Sequence, residues 1–265
     1  MIAGVLRLVL FVIDTAVAIP LVLLASCLDR QARVAYRLAQ WWVWLNVRLI
    51  GVRLQVEGLE HLDPGRAYVF MSNHRSNVDV LVLVMALWDF QLRWVTKEEL
   101  ARIPAFGWAL RATKQIIIDR ANHAQAVASL RRAEDRIRDG ISVVFFPEGT
   151  RGAHAMLPFK KGGFVFALET GTPIVPIGIS GSERILPRGV WIPRPGGVVR
   201  LAVRPPIATE GLPPGERDAL MAQVRDAIAS CVEGGVAAPE VAPAPPAITP
   251  AEVSSMPASS GRAGR

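Results

Sequence analysis

The 265-residue chain contains only two cysteines, four histidines and two tyrosines. Cys27 and Cys231 lie far apart and match no metal or redox spacing, so the sequence predicts no disulfide framework and fits a reducing compartment such as the cytoplasm. The histidines show no metal-ligand spacing either, and we therefore expect no bound metal. They are His61, His74, His123 and His154.

Acidic charge is also scarce. The chain has 23 Asp and Glu residues against 30 Lys and Arg residues, which gives a formal net charge of +7. A basic surface favours acidic partners, which include anionic lipid headgroups, phosphorylated substrates and nucleic acid. The charge alone therefore allows both an enzyme of lipid or phosphate chemistry and a simple binding protein.

The serine motif of a typical hydrolase is absent as well. Residues 178–182 read GISGS, which is not the Gly-x-Ser-x-Gly turn that exposes a nucleophilic serine. Neither cysteine has a histidine nearby in the sequence. A hydrolase of acyl esters or thioesters would need a nucleophile of its own, so these absences disfavour that class.

Apolar residues, by contrast, make up 51% of the chain, and the excess is concentrated near the N-terminus. Residues 8–28 are apolar over a length that could cross a bilayer, although Asp14 and Pro20 interrupt the run. No cleavage pattern of a signal peptide follows this run, so we do not expect a removed signal peptide.

Residues 30–51 alternate arginines and tryptophans with aliphatic side chains at near-helical spacing. This pattern is typical of a helix in the membrane interface, with Trp41, Trp42 and Trp44 at headgroup depth. We predict that residues 1–50 form two membrane-anchoring helices, the first of which either spans the bilayer or only dips into it. The alternative is a core-packed helical hairpin of a soluble protein.

Short β-branched runs alternate with stretches of helical periodicity from Val52 onward. This alternation predicts an α/β domain, a β-sheet with helices on its faces, over residues 51–234. In such sheets functional groups gather in the loops after the carboxyl ends of strands. Residues 235–265 are rich in Ala, Pro and Ser without periodicity, and we predict a disordered tail there.

A polar segment, SNHRSNVD at residues 72–79, separates two apolar runs. Ser76 or Asn77 is a suitable N-cap, which would place Asp79 in the first turn of the following helix. His74 could then hydrogen-bond that carboxylate through one ring nitrogen and present the other as a base for a substrate hydroxyl or thiol. Read alone, the pair is more simply explained as a capping aspartate beside a surface histidine.

Two further polar clusters follow apolar strands, at residues 145–152 and 115–122. Arginines at neighbouring strand ends are suited to bidentate phosphate binding, and nearby hydroxyl and amide groups can add hydrogen bonds. Each cluster could also be a turn with a solvated ion pair. Their polar or turn residues are Asp119, Arg120, Glu148, Gly149, Thr150 and Arg151. Three lysines could face the same site or simply be solvated, namely Lys97 at another strand end and Lys160 and Lys161 at a helix start.

In order and spacing, these clusters resemble the sequence blocks of the glycerolipid acyltransferase family. The similarity extends over roughly residues 40–232, and several blocks in the right order are far more specific than any one of them. The matching positions are Asn73, His74 and Asp79, then Ile118, Asp119 and Arg120, then FPEGTR at residues 146–151, and IVPIGI at residues 174–179.

The resemblance implies a mixed β-sheet flanked by helices and the transfer of an acyl chain from acyl-CoA or acyl carrier protein, with no cofactor. The acceptor would be the free hydroxyl of a lysophospholipid such as 1-acyl-sn-glycerol 3-phosphate. His74 would deprotonate this hydroxyl, and Asp79 would orient His74 and stabilise its charged form. The acceptor would be bound by Asn73, Lys97, Arg120, Glu148, Gly149, Thr150 and Arg151.

The same resemblance implies an anionic membrane as partner, at the cytoplasmic face of the bacterial inner membrane, and no nucleic acid. Two positions depart from the family pattern, Lys114 in place of a glycine and Gly152 in place of a serine. They leave open acylation of another lysolipid, such as a lyso-ornithine lipid, or of glycerol 3-phosphate. An acyl hydrolase and a non-catalytic lipid- or nucleic-acid-binding protein are the remaining alternatives.

Overall fold

The structure, a computed structural model, describes residues 2–119, 123–152, 155–190 and 192–233. In these residues strands and helices alternate as the sequence predicts. The strands are β1 Arg53–Glu57, β2 Val69–Ser72, β3 Leu92–Lys97, β4 Ile116–Ile118, β5 Ser142–Phe145, β6 Ile174–Ser180 and β7 Val198–Val203. The helices are α1 Ile2–Ala25, α2 Arg33–Ile50, α3 Val78–Ala86, α4 Glu98–Ala101, α5 Phe106–Ala112, α6 His123–Arg138, α7 Gly162–Thr170, α8 Ser182–Ile185 and α9 Arg217–Glu233. The predicted tail, 235–265, lies outside the described residues.

The strands form one sheet in the order β1-β7-β6-β2-β5-β3-β4. Strands β6, β2, β5, β3 and β4 run parallel to one another, whereas β7 is antiparallel to β6 and β1 is parallel to β7. The sheet is therefore mixed, as the family resemblance implied. The carboxyl ends of β2, β5, β3 and β4 consequently lie side by side along one edge of the sheet.

Alternate residues of the central strands point into two hydrophobic layers, one on each face of the sheet. Phe70 and Val144 pack into the layer that α3 covers, whereas Met71 and Phe145 pack into the layer that α7 and α9 cover. Because both faces are buried, these strands appear in the sequence as continuous apolar runs. Each fully buried large side chain contributes about 1.5–3 kcal/mol relative to its exposed state.

Helices α1 and α2 pack against each other through polar groups between them. The side-chain amide of Asn46 donates to Oδ2 of Asp14 at 2.8 Å, and the indole N–H of Trp42 donates to the hydroxyl of Thr15 at 3.1 Å. Asp14, which interrupts the apolar run in the sequence, is thus paired inside the hairpin. Among the described residues, one helical segment, Val5–Ala25, is long and apolar enough to cross a membrane, and 11% of it is buried.

The three tryptophans predicted at headgroup depth have different surroundings. Trp42 faces α1, where its ring also contacts Phe11. Trp41 is 44% exposed and packs edge-on against Trp44 and Trp88. Only part of this aromatic cluster is therefore free to meet a membrane, and its depth there stays a prediction.

Arg93 joins the helical hairpin to the sheet. This residue is fully buried in β3, its guanidinium lies 5.1 Å from the ring centroid of Tyr36 on α2, and it donates to the carbonyl oxygen of Gln31 at 2.6 Å. Burial raises the pKa of the Tyr36 phenol. A buried cation needs such partners, so this joint fixes the hairpin relative to the sheet.

The N-terminus of α2 is capped by a residue that precedes the N-cap position in sequence. Its N-cap residue, Ala32, has φ of 55° and no capping side chain. The Asp29 carboxylate takes over this role by accepting the backbone N–H groups of Arg33 at 2.9 Å and Val34 at 3.0 Å. These bonds, above all the one from Arg33, hold the pKa of the Asp29 carboxyl below its usual value.

Candidate active site

Polar side chains follow the carboxyl ends of four neighbouring strands. His74 comes after β2, Glu148 after β5 and Asp119 after β4, while Lys97 is the last residue of β3. Because β2, β5, β3 and β4 are parallel neighbours, these residues lie along the same edge of the sheet. The sequence-based prediction that the polar clusters follow strand ends is confirmed.

His74 and Asp79 form the predicted pair. His74 lies in the loop between β2 and α3, and Asp79 in the first turn of α3. Nδ1 of His74 is 2.8 Å from Oδ2 of Asp79, which also accepts the backbone N–H groups of Arg75 at 2.7 Å and Ser76 at 2.8 Å. The Asp79 side chain is 1% exposed and that of His74 is 15% exposed. The histidine is thus reachable from solvent while its partner is enclosed.

The donors around Asp79 determine which ring nitrogen of His74 carries the proton. Oδ2 already accepts two backbone N–H groups, so it acts as a carboxylate acceptor and Nδ1–H of His74 donates to it. Nε2 then carries a lone pair and lies on the side of the ring away from Asp79. In this tautomer the ring can accept a proton from a group that enters the site.

Ser76, rather than Asn77, supplies the cap of α3. Its hydroxyl oxygen accepts the backbone N–H of Val78 at 3.1 Å, and the hydroxyl donates to the carbonyl oxygen of Leu186 at 2.8 Å. Asn77 makes no capping hydrogen bond with its side chain. The cap therefore also ties the histidine loop to the segment that follows α8.

An aromatic stack supports one face of the imidazole. The rings of His74 and Phe146 are stacked with centroids 3.9 Å apart and an interplanar angle of 12°. Trp94 on β3 lies against Phe146, with centroids 5.7 Å apart and an angle of 30°. Asp79 fixes one edge of the imidazole and Phe146 fixes one face, so the ring has little freedom to rotate.

Glu148 and Asn73 hold the loops around the dyad. The two carboxylate oxygens of Glu148 accept the backbone N–H groups of His74 at 2.9 Å and Leu157 at 2.8 Å. The Asn73 side chain exchanges two hydrogen bonds with the backbone of Ile179 in β6, at 2.7 and 2.8 Å. Both side chains are buried and have protein partners, so their contacts are those of positioning residues. The acceptor-binding role that the family resemblance implies for them stays a prediction.

The turn after Glu148 presents the groups expected to bind phosphate. Gly149 has φ of 74°, a backbone conformation that favours glycine. Thr150 is exposed and Arg151 is half-buried. In the part of the chain that the structure describes, the Arg151 guanidinium has no hydrogen bond or ion pair. Gly152 donates its backbone N–H to the carbonyl oxygen of His74 at 2.9 Å, which links this turn to the loop that contains His74.

Two predicted cations are placed less directly. Lys97 is half-buried at the end of β3. Arg120 lies outside the described residues, and only the preceding residue, Asp119, is placed, after β4. Lys97 ends β3 and Asp119 follows β4, and these two strands lie beyond β5 in the sheet, on the side away from β6. Their contact with a substrate stays a prediction.

The backbone and packing at the two positions that depart from the family pattern differ. Lys114 has φ of 57°, in the left-handed region that favours glycine. At Gly152 an added Cβ would lie 2.9 Å from the carbonyl oxygen of Ala155 and 3.1 Å from Oε2 of Glu148. Glycine therefore suits the close packing at position 152 in this chain, whereas lysine at position 114 is strained.

No protein nucleophile is paired with the imidazole in the described residues, where the ring of His74 hydrogen-bonds only Asp79. The nearest serines in sequence use their hydroxyls elsewhere, since Ser72 donates to the carbonyl oxygen of Asn73 and Ser76 donates to that of Leu186. Within the same residues, no group of three or more His, Cys, Asp or Glu side chains could hold a metal ion.

Sequence reasoning missed two residues of the site. The sequence places Phe146 at the start of the FPEGTR block but predicts no role for its ring, because the contact with His74 depends on β2 and β5 being neighbours. Arg188 donates to the carbonyl oxygen of Arg151 at 3.3 Å and adds an exposed cation beside the turn that is expected to bind phosphate. The available signal was its place in a Pro-Arg-Gly turn after the carboxyl end of β6.

Comparison with known proteins assigns the class. The crystal structure of the 1-acyl-sn-glycerophosphate (LPA) acyltransferase PlsC from Thermotoga maritima matches with a TM-score of 0.73 and 26% sequence identity, covering 91% of this chain and 99% of that chain. The family model described as Acyltransferase matches residues 53–180. Fold and sequence thus point to the same group of acyl-transferring enzymes.

Curated relatives agree with this class. The 1-acyl-sn-glycerol-3-phosphate acyltransferase of Pseudomonas aeruginosa is 32% identical over 193 residues, which is 71% of this chain and 73% of that protein. The chain therefore belongs to the acyltransferase family, and the resemblance inferred from its sequence blocks is confirmed. The chloroplastic BAT2 enzyme of Brassica napus is 33% identical over 78% of this chain, and the human alpha enzyme is 34% identical over 67% of it. The matches span 59% and 62% of those two proteins, about three fifths of their length.

Proposed function

We propose that the chain is a 1-acyl-sn-glycerol-3-phosphate O-acyltransferase, which transfers an acyl chain from acyl-CoA or acyl carrier protein to lysophosphatidic acid and forms phosphatidic acid. The observation that carries the proposal is the 2.8 Å bond between His74 and Asp79, in a site where no described serine or cysteine bonds the imidazole. The base is therefore available to a hydroxyl that the substrate brings. The relatives that carry this name in bacteria, plants and animals support the choice of acceptor.

The reaction is a direct transfer between two substrates. Nε2 of His74 takes the proton of the acceptor hydroxyl, whose oxygen forms a bond to the thioester carbonyl carbon. The C–S bond of the resulting tetrahedral intermediate breaks, and the thiolate leaves with the proton from Nε2. Asp79 stabilises the imidazolium in between, and general-base help of this kind is worth roughly 10²–10⁴ in rate. Protons and electron pairs balance without an acyl-enzyme or a cofactor.

The acceptor phosphate binds beside the dyad in this proposal. Arg151 provides a bidentate guanidinium, and the exposed Thr150 hydroxyl adds a hydrogen bond. Gly149 shapes the turn through its positive φ, since its backbone N–H already donates to the carbonyl oxygen of Phe146. Lys97 and Arg120 extend the positive charge along the strand edge. Charge-assisted bonds of this type fix the distance between the phosphate and the free hydroxyl, which brings the hydroxyl to Nε2.

The substrate and product are lipids, so the enzyme works at a membrane. The exposed apolar face of α1 and the tryptophans of α2 support an anchored position, either spanning or interfacial, at the cytoplasmic face of a bacterial inner membrane. The net charge of +7 suits anionic lipid headgroups.

The proposal is tested by an acyltransferase assay on the purified full-length chain with lysophosphatidic acid and both donor types. We expect phosphatidic acid as the product and a loss of about 10²–10⁴ in kcat for His74→Ala. His61→Ala is the matched control, since this exposed histidine follows β1 at the opposite edge of the sheet and should keep full activity. Equal activity of the two variants would refute the assignment of the base.

The acceptor is tested with a panel of lipids. Lysophosphatidic acid, a lyso-ornithine lipid, other lysophospholipids and glycerol 3-phosphate are compared at matched concentrations. The proposal predicts the highest kcat/KM for lysophosphatidic acid. Activity on another acceptor without activity on lysophosphatidic acid would keep the dyad chemistry and reject the substrate.

A further inference from the structure

Four large apolar side chains are exposed together on α4, α5 and the turn that joins them. Leu100 is 41% exposed, Ile103 48%, Phe106 43% and Trp108 58%. We call these four residues the α4–α5 patch. Single exposed apolar residues are ordinary, but a group within nine sequence positions marks an interaction surface.

The backbone under the patch is closely held. Arg111 donates to the carbonyl oxygens of Ala101 at 2.6 Å and Gly107 at 3.2 Å. A Cβ at Gly107 would lie 2.1 Å from the Ala101 carbonyl oxygen, so only glycine allows this close approach. The apolar side chains are therefore held outward by a fixed turn.

Helix α5, which carries part of the patch, packs against α1. Ala112, the last residue of α5, packs against a buried cluster that contains Val22 and Ala25 of α1. Leu24 and Leu28, beside these positions in sequence, are 70% and 72% exposed. The exposed apolar face of α1 and the α4–α5 patch thus belong to adjoining elements. A lipid surface that contacts α1 would therefore cover the patch as well.

The position and charge of the patch fit a lipid surface. α4 follows the carboxyl end of β3 directly, so the start of the patch, at Leu100, adjoins the edge that carries the dyad. α5 then returns toward the start of β4, which runs parallel to β3. Residues 97–114 contain four cations and two carboxylates, and one of the carboxylates, Glu98, pairs with Arg102 at 3.3 Å. The excess of cations beside apolar and aromatic side chains is typical of segments that enter the headgroup region of an anionic bilayer.

We propose that the α4–α5 patch is a second membrane-contact surface, separate in sequence from the N-terminal helices, which inserts into the headgroup and upper acyl region of an anionic bilayer. It holds the active-site edge against the membrane, so that a lysolipid moves from the leaflet to His74 without crossing open water. The inference deepens the membrane association in the proposed function and rests on it.

A depth measurement tests the proposal. Cysteines are introduced singly by Leu8→Cys, Glu60→Cys and Trp108→Cys in a full-length chain that carries Cys27→Ser and Cys231→Ser, and each is labelled with an environment-sensitive dye. Leu8 lies on the exposed face of α1, and Glu60 is exposed at the opposite edge of the sheet. In vesicles of phosphatidylcholine and phosphatidylglycerol, we expect quenching by spin-labelled lipids at positions 8 and 108, and by aqueous iodide at position 60.

Each other outcome of this measurement has a definite meaning. Lipid quenching at position 8 with iodide quenching at position 108 would overturn the second contact and keep the membrane anchor. Iodide quenching at all three positions would overturn both. Protection of position 108 from both quenchers would show that a second copy or another protein covers the patch, which also overturns the proposal. No acyl transfer is needed, so the result is independent of the substrate assignment.

A rate measurement separates membrane contact from folding. For Ile103→Ser combined with Trp108→Ser, we expect the rate on lysophosphatidic acid in vesicles to fall about tenfold, which corresponds to about 1.4 kcal/mol, while the rate in detergent micelles is kept. The matched control, Leu59→Ser combined with Leu212→Ser, alters two other exposed leucines and should keep both rates. An equal fall in vesicles and micelles, or no fall in vesicles, would contradict the proposal.

Discussion

The imidazole of His74 lies flat on the ring of Phe146, with centroids 3.9 Å apart and planes 12° from parallel. The two residues come from loops after different strands, β2 and β5, which are neighbours in the sheet. We therefore expect Phe146 to act as a positioning residue, which holds the direction of Nε2 of the histidine while Asp79 holds Nδ1.

Replacing Phe146 tests this role. Loss of the ring in Phe146→Leu removes a stacking contact worth about 0.5–1.5 kcal/mol and lets the imidazole rotate, so we expect kcat to fall about tenfold with little change in KM. Phe146→Tyr keeps the ring and should restore most of the rate. Steady-state kinetics with varied lysophosphatidic acid measure both parameters. A rise in KM at constant kcat would instead make Phe146 a substrate contact.

Glu148 is expected to act through the backbone. Its oxygens accept N–H groups from His74 and Leu157, so in Glu148→Gln one N–H would face the new NH₂ group. An unsatisfied buried donor costs about 1–3 kcal/mol, and the displaced loop lowers kcat. Thermal unfolding and the acyltransferase assay measure the two effects. Glu169→Gln, an exposed carboxylate on α7, is the control.

The opposite result for Glu148→Gln would restore the role that the family resemblance implied. Unchanged stability and unchanged kcat, together with a higher KM for the lysolipid, would show direct contact with the acceptor. The two roles differ in which parameter changes, so one set of measurements separates them.

The sequence was sufficient to predict the alternation of strands and helices and the edge of the sheet where the polar residues lie. Apolar runs buried on both faces are long and β-branched, and each predicted polar cluster follows one of them. The spacing of His74 and Asp79 across a capped helix start also predicted their contact, because the loop and first turn are local in sequence.

Contacts between distant segments could not be predicted in the same way. The hydrogen bond from the backbone of His74 to Glu148 and the stacking of Phe146 on His74 both require β5 to lie beside β2, although 69 residues lie between the end of β2 and the start of β5. The clamp from Asn73 to Ile179 likewise depends on β6 being the other neighbour of β2. Strand order is set by packing over the whole sheet, which no local pattern contains.

Lys114 gives a stability prediction from backbone strain. A non-glycine residue in the left-handed region destabilises the folded state by about 1–2 kcal/mol, which a glycine would remove. Glycine also has more conformational freedom in the unfolded chain, and this lowers the gain in stability by about 0.5–1 kcal/mol. We therefore expect Lys114→Gly to raise the free energy of unfolding by about 0.5–1 kcal/mol. Lys114→Ala keeps the strain and is the control. Denaturant unfolding of both variants measures the difference, and equal stabilities would contradict the strain argument.

Asp29 gives a prediction for pH. The N–H bonds from Arg33 and Val34 favour the carboxylate and hold its pKa below the usual value, so its stabilising effect is present above that value and is lost as the pH falls through the folded pKa. Asp29→Ala should lower stability by about 1 kcal/mol at pH 7, as expected for a lost helix cap.

The same difference should shrink in acid. Below about pH 4, the usual pKa of an Asp carboxyl, the unfolded chain takes up the proton first and the difference begins to shrink. The two chains approach equal stability as the pH falls further, through the lower pKa of the folded carboxyl. Thermal unfolding in detergent between pH 7 and pH 3 measures this convergence, with Asp218→Ala as the control because Asp218 pairs with its neighbour Arg217 on the surface. Salt should weaken the Asp29 effect only partly, because hydrogen bonds to the backbone, rather than distant charges, produce most of it. A difference between wild type and Asp29→Ala that stays constant over this range would show that the carboxylate does not cap α2.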